Sequence, residues 1–220
     1  MNSYIIFIRH GITEGILKKW FYGWSDLKVE PEGYEEIERY KSEGVYPEVP
    51  DFAKFYTTGL VRTTETLKAI YGDVPYEEIP DMREISFGDW ECRSFKELSG
   101  ENGWEDWMND TEGKFAFPGG ESMNGFLERI RRGLEALKEK HRHTERECLP
   151  EGRDAASVMV CHGGAISATM LDWFGEDRSE FWGWLPTTGL GYKVYFEDGR
   201  PSQYEALREW EKVSGDLLEE

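Results

Sequence analysis

The sequence predicts an α/β fold, a three-layer α/β/α sandwich with a mostly parallel central sheet and a small inserted cap. Two observations predict it. Short apolar runs alternate with stretches of helical spacing along the 220 residues, the order that builds a parallel sheet covered by helices. Three of those runs also end in polar residues and glycine, and open sheets of this class hold their ligands beyond the carboxyl ends of the strands.

Taken in order, Tyr4 to Ile8 is a β-branched and aromatic run that reads as a buried strand feeding the turn Arg9-His10-Gly11. Pro31-Glu32-Gly33 opens a helix to about Lys41. Asp51 to Tyr56 is a second strand, leading through Thr57-Thr58-Gly59 into a helix over Leu60 to Tyr71. Phe126, Leu127, Ile130, Leu134 and Leu137 share one face of a helix predicted over Glu121 to Lys140. Ala156 to Val160 is a third strand ending at Cys161-His162-Gly163-Gly164; Ala165 to Phe174 is helical, and Gly191 to Phe196 is the last strand. Two stretches break the alternation. Cys92 to Gly120, rich in Trp, Gly and acidic residues, is expected to be a lid, so the chain reads as a single domain over 1–220 with a cap at about 92–120. His141 to Asp154 is almost wholly polar and reads as a solvated loop.

Composition narrows the class. With 39% hydrophobic and 32% charged residues the chain is that of a soluble globular protein, and no apolar run approaches a membrane span. The N-terminus lacks a basic stretch and a small-residue cleavage site, so a cytoplasmic location is expected. Cys92, Cys148 and Cys161 are too scattered for a disulfide framework and suit a reducing compartment. The formal charge of −18 repels nucleic acid and anionic membranes, and neither is expected as a partner. The same field opposes an anionic substrate, so any phosphate site must concentrate its cations locally.

The strand ends do concentrate them. Arg9-His10-Gly11, Leu60-Val61-Arg62 and His162-Gly163-Gly164 fall at one edge of the predicted sheet. Two guanidinium forks there suit the equatorial oxygens of a transferring phosphoryl group. Gly163 and Gly164 allow close backbone approach and open a helix whose free N–H groups favour an anion. Beside two arginines and a second imidazole, His10 is favoured as a neutral nucleophile. Glu84, next to apolar Ile85 and Phe87, is the candidate proton donor to the leaving group. A cysteine phosphatase is excluded, because the residues six after the three cysteines are Leu98, Asp154 and Ser167 rather than Arg. No Gly-rich Lys-Ser or Lys-Thr loop is present. The pair His141 and His143 has no matching partner, so neither a metal nor a cofactor is expected.

Arg9-His10-Gly11 with Thr13-Glu14, Leu60-x-Arg62-Thr63-x-x-Thr66, Arg83-Glu84-Ile85-x-Phe87-Gly88-x-Trp90-Glu91, Pro118-Gly119-Gly120-Glu121-Ser122 and His162-Gly163-Gly164 together resemble the histidine phosphatase superfamily, the phosphoglycerate mutase-like group. The resemblance runs from residue 5 to about 195. It implies a phosphatase acting on small phosphate monoesters through a phosphohistidine, with His10 taking the phosphoryl group, Arg9, Arg62 and His162 clamping it, and Glu84 serving as acid and then as base for water. By the same resemblance Thr13 and Gly163 fall at the phosphate pocket, and Asp26 and Gly33 match the segment after the first helix. Ile16 departs from the pattern where relatives often place Asn, which leaves Lys18, Lys19 or Ser25 to replace a hydrogen bond. Cys92 and Cys161 also depart from it.

Two rivals accompany that reading. A phosphoglycerate mutase needs a second anion site, and Arg93 to Phe117 offers Arg93, Lys96 and Lys114 against six acidic residues, Glu97, Glu101, Glu105, Asp106, Asp110 and Glu112. A non-catalytic binding or regulatory protein on the same fold is the other. The expected partner is a small phosphorylated metabolite, of the α-ribazole phosphatase kind or broader. Trp20, Phe21, Tyr22, Trp24, Trp104, Trp107, Trp182 and Trp184 divide between packing and the mouth of the pocket. Oligomeric state stays open, a homodimer included.

Overall fold

The first apolar run becomes strand β1, Ser3–Arg9, and its continuous hydrophobicity is explained by burial on both faces. The computed structural model describes residues 1–209, so residues 210–220 of the expected domain lie outside the described residues. After β1 come α1 (Glu14–Leu17), β2 (Trp20–Phe21), α2 (Pro31–Ser42), β3 (Lys54–Thr57), α3 (Val61–Tyr71) and β4 (Tyr76–Glu78). Then follow β5 (Arg93–Ser94), α4 (Phe95–Leu98), α5 (Trp104–Met108), α6 (Met123–Cys148), β6 (Ala155–Cys161), α7 (Gly163–Phe174), β7 (Gly191–Glu197) and β8 (Arg200–Ala206).

The main sheet has the order β4-β3-β6-β1-β7-β8. β4, β3, β6 and β1 pair in parallel, while β7 runs antiparallel to both β1 and β8. Alternation along the central strands sets the three layers. Ile5 and Phe7 of β1 and Met159 and Cys161 of β6 pack with Phe126, Ile130, Leu134 and Leu137 of α6 and with α7. Tyr4, Ile6 and Ile8 with Ala156, Val158 and Val160 face the other way, onto Ile37 of α2 and Leu67 and Ile70 of α3. No helix among the described residues is long and apolar enough to cross a membrane.

Three expectations need correction. The polar stretch from His141 is not a loop: α6 continues to Cys148, because His141, Thr144 and Cys148 prolong the buried stripe of Ile130, Leu134 and Leu137 at helical spacing. His141 is 1% exposed, with its ring nitrogens 2.9 Å from the Ser3 and Ser157 hydroxyls. His143 lies on the exposed side, so the two histidines face apart. Gly191–Glu197 is not the last strand, since a hairpin turn at Asp198 (φ 51°) and Gly199 (φ 71°) returns the chain as β8. The second strand starts at Lys54 rather than Asp51, because the Ala53 N–H closes a turn on the Pro50 carbonyl (2.8 Å).

The stretch 92–120 packs an aromatic lobe. β5 pairs with β2, and Phe21 meets Phe87, Trp90, Trp104 and Trp107 with ring centroids 5.3–6.4 Å apart.

Candidate active site

Strand register places the two histidines. β1 and β6 pair with Arg9 opposite Cys161, so the next residues, His10 and His162, leave the sheet side by side with rings 5.3 Å apart. β3 flanks β6 on its other edge and ends at Thr57; the hydroxyl of Thr58 is 3.0 Å from His162 Nε2.

His10 is buried, and its Nδ1 stands 2.8 Å from the Gly11 carbonyl. A carbonyl only accepts, so Nδ1 holds the proton and Nε2 keeps a free lone pair. Burial, then the charges of Arg62 and Arg9, hold the pKa of His10 well below the ordinary histidine value. The ring is therefore neutral at pH 7. His162 is kept neutral by burial and by Arg62, His10, Arg9 and Arg129.

The guanidiniums are held by backbone carbonyls. Arg9 Nη1 donates to Pro186 (2.8 Å), while Arg62, wholly buried, donates from Nη1 to Ser25 (2.8 Å) and from Nη2 to Gly23 (2.6 Å). What remains is informative. Arg9 Nε, Arg62 Nε and His162 Nδ1 are buried polar atoms with no protein partner. Buried donors are nearly always paired; the two arginine Nε–H groups have a proton to give, and His162 Nδ1 has one in the tautomer whose Nε2 accepts from Thr58. Arg9, Arg62 and His162 all lie close to His10, and together they can cradle an oxyanion.

Glu84 enters the same space from the turn after β4. Its Oε2 accepts from the Gly164 N–H (2.8 Å) and its Oε1 from the Ile85 N–H (3.0 Å). A Cβ on residue 164 would stand 2.3 Å from Glu84 Oε1, so any side chain there would displace the Glu84 carboxylate. Burial raises the carboxyl's pKa against the opposing pull of those hydrogen bonds and of Arg9 and Arg62. Two arginines near it in sequence are engaged elsewhere: Arg83 Nε donates to the Thr58 carbonyl, and Arg93 pairs with Glu101. Glu65, three residues after Arg62, accepts from the Val29 N–H.

Gly163 is buried as the first residue of α7, and a Cβ there would stand 3.1 Å from Arg9 Nε. The Thr13 hydroxyl donates to the Tyr22 hydroxyl (2.8 Å), and the Tyr22 ring meets His10 edge-on at 6.2 Å with the Arg62 guanidinium 5.1 Å from its centre. Tyr22 thus borders the pocket. Lys18 pairs with Glu14 and lies over Trp20, and Ser25 contributes its backbone alone, a carbonyl to Arg62 and an N–H to Glu91.

Sequence reasoning missed the residues that hold this set in place. The Glu91 carboxylate accepts from the N–H groups of Gly23, Trp24, Ser25 and Phe87 at 2.9–3.1 Å, fixing the loop that holds Arg62. Arg129 forks onto both Glu121 oxygens (2.7 Å each) and donates to the carbonyls of Asp81, Arg83 and Glu84 (2.9 Å). All five guanidinium donors are used. Its signal in the sequence is faint: one arginine beside the apolar stripe of a helix. Among the described residues no group of three or more His, Cys, Asp or Glu is placed to hold a metal.

Comparison with known proteins fits this geometry. The sequence model of the histidine phosphatase superfamily (branch 1) matches residues 5–206. A 2,3-bisphosphoglycerate-dependent phosphoglycerate mutase of Cytophaga hutchinsonii is 30% identical over 176 residues, 76% of this chain and 75% of the relative. The adenosylcobalamin/alpha-ribazole phosphatase of Escherichia coli is 25% identical over 182 residues, 80% of this chain and 81% of the relative. Among solved structures, the alpha-ribazole phosphatase from Shigella flexneri superposes with a TM-score of 0.75 over 90% of this chain and 93% of the other; at 22% identity it is a likeness of fold. Phosphoglycerate mutase from Thermus thermophilus gives 0.61 at 27% identity, covering 91% and 97%.

Proposed function

The chain belongs to the histidine phosphatase superfamily, branch 1, and from that premise we propose that it hydrolyses small phosphate monoesters with His10 Nε2 as the nucleophile. The single observation that carries this is the cradle itself: a free imidazole lone pair on His10 beside Arg9, Arg62 and His162, each with a buried nitrogen that no protein atom satisfies.

In the reaction so assigned, Nε2 attacks phosphorus in line and the ester P–O bond breaks. The leaving oxygen takes the proton of Glu84, whose raised pKa keeps the acid form available. Arg9, Arg62 and His162 neutralise the equatorial oxygens as charge spreads over them. Water then attacks the phosphohistidine while the Glu84 carboxylate removes its proton, returning His10 and inorganic phosphate. The aromatic lobe over 92–120 serves as a fixed cap beside this site. Three free thiols, two of them buried, suit the cytoplasm.

Mutase relatives keep a second reading in view, and it needs a second phosphate site. In this chain Arg93 is bound to Glu101 and Lys114 to Glu112, so of the three cations of the stretch Lys96 alone has no acidic partner among the described residues. That favours hydrolysis, the side of the alpha-ribazole phosphatase relative. Incubation with 3-phosphoglycerate and a bisphosphoglycerate primer tests it: phosphate release or no reaction is expected, and efficient formation of 2-phosphoglycerate would overturn the choice.

A further inference from the structure

The carboxyl of Glu84 has one hydrogen bond from outside its own turn, that of the Gly164 N–H; the other comes from Ile85, the next residue. Where the acid stands is therefore decided by the backbone of the turn after β4. That backbone lies outside the sheet. Its carbonyls at Asp81, Arg83 and Glu84 are instead taken up by Arg129 of α6, with Nη1 donating to Asp81 and Arg83 and Nη2 to Glu84, each at 2.9 Å. Helix and turn approach this closely because residue 133, one helical turn further along α6, is glycine. A Cβ there would stand 3.0 Å from the Asp81 carbonyl carbon.

Glu121 fixes the guanidinium in its turn. It accepts from Nε and Nη2 at 2.7 Å each, and it also grips Ser86 at the far end of the same segment. There Oε2 accepts from the Ser86 N–H (3.0 Å) and the Glu121 N–H donates to the Ser86 carbonyl (2.9 Å). Arg129 is 6% exposed, so water is poorly placed to take over its bonds. The Glu84 carbonyl also accepts from the ring N–H of Trp24 (3.0 Å), but that residue is exposed and its bond is one that water can replace.

Position, more than charge, is what this arrangement supplies. The main influences on the pKa of the Glu84 carboxyl are burial, the Gly164 and Ile85 N–H groups, Arg9 and Arg62, while the charge of Arg129 is met by Glu121. Three carbonyls and a carboxylate around one side chain call for a planar fork with five donors in fixed directions, which an ammonium cannot reproduce. The cations of the phosphate cradle are held separately, Arg9 by Pro186 and Arg62 by Ser25 and Gly23.

We propose that Arg129 is a positioning residue for proton transfer to the leaving group: clamped by Glu121, it sets the turn that aims Glu84. This rests on the phosphatase reading of the site and on Glu84 as its acid.

Arg129→Lys keeps the charge and loses the fork. Misplacing a reacting group by about 1 Å costs on the order of a hundredfold, so kcat for an alkyl phosphate should fall about tenfold or more with KM little changed. For p-nitrophenyl phosphate, whose leaving group needs no proton, the loss should stay below about threefold. In a Glu84→Gln background the same substitution should slow the alkyl ester by less than about twofold further, because the proton that Arg129 positions is already gone. Glu121→Gln should show the same split between the esters in smaller measure, and it carries the comparison if Arg129→Lys does not fold. The control is Arg132, exposed and reaching the Asp81 carboxylate at 3.7 Å on the same turn; Arg132→Gln should leave both rates unchanged. The proposal is overturned if Arg129→Lys slows both esters by the same factor or neither, or if its penalty multiplies with that of Glu84→Gln. Equal slowing of both esters by Glu84→Gln, with phosphohistidine still formed, would remove the acid and the proposal with it. No turnover of either ester by the wild type, and no phosphohistidine, would instead bring down the phosphatase reading on which both stand.

Discussion

At the scale of single residues, the site assigns Glu84 and Arg62 to different parts of the same transfer, and kinetics can separate them. A general acid matters most when the leaving group is poor. Glu84→Gln should depress hydrolysis of an alkyl phosphate far more than that of p-nitrophenyl phosphate. Arg62→Ala removes charge stabilisation from the phosphoryl group itself, so both substrates should slow by similar factors, on the order of a hundredfold or more. Equal effects of Glu84→Gln on the two esters would reduce Glu84 to a structural role. Its raised pKa also fixes the sign of the pH profile. The acid form is the donor, so kcat/KM for the alkyl ester should fall as pH rises through that pKa, and Glu84→Gln should lose this limb. His10 and His162 have pKa values far below neutrality, so their protonation does not limit the rate near pH 7.

Among the elements, α6 ties the site to the far end of the sheet, and its last two turns give a prediction about stability. His141 is buried against Ser3 of β1 and Ser157 of β6, and burial pushes its pKa down to about 4. The unfolded chain therefore binds this proton more readily, and stability should fall as pH drops from about 6.5 toward 4, by about 3 kcal/mol for this one group. His141→Gln keeps the hydrogen-bonding shape without titrating. Its denaturant midpoint should change less with pH than that of the wild type over this window, the slope from His10 and His162 remaining; an unchanged slope would contradict the assignment. The same helix shows what was legible in the sequence. The strands β1 and β6 declare themselves, because burial on both faces leaves their middles almost wholly apolar, and α3 and α7 follow strands with buried positions at helical spacing. The end of α6 was hidden by its charges, although its buried positions keep the helical period. β8 is a mostly exposed edge strand with a weak pattern, marked only by the Asp198-Gly199 turn. The His10, Arg62 and His162 cluster was legible because all three follow apolar strands. Glu91 and Arg129 were not, since what they do is satisfy backbone groups brought together from distant segments.

For the molecule as a whole, a formal charge of −18 meets a reaction whose substrate is an anion. Locally Arg9 and Arg62 override the field, but at a distance the approaching phosphate feels repulsion. Added salt shortens the Debye length from about 30 Å at 0.01 M to about 10 Å at 0.1 M. The KM for a dianionic ester should therefore fall over that range, and a rise would mean that attraction by the site dominates approach. All of this rests on one covalent claim. Rapid quench of the enzyme with a phosphorus-labelled ester, followed by peptide mapping, tests it directly. The label should appear on His10 as an acid-labile, alkali-stable phosphoramidate that forms and decays at rates consistent with turnover, and it should be absent from His10→Ala. Turnover without a phosphoenzyme, or label that persists in His10→Ala, would contradict the account.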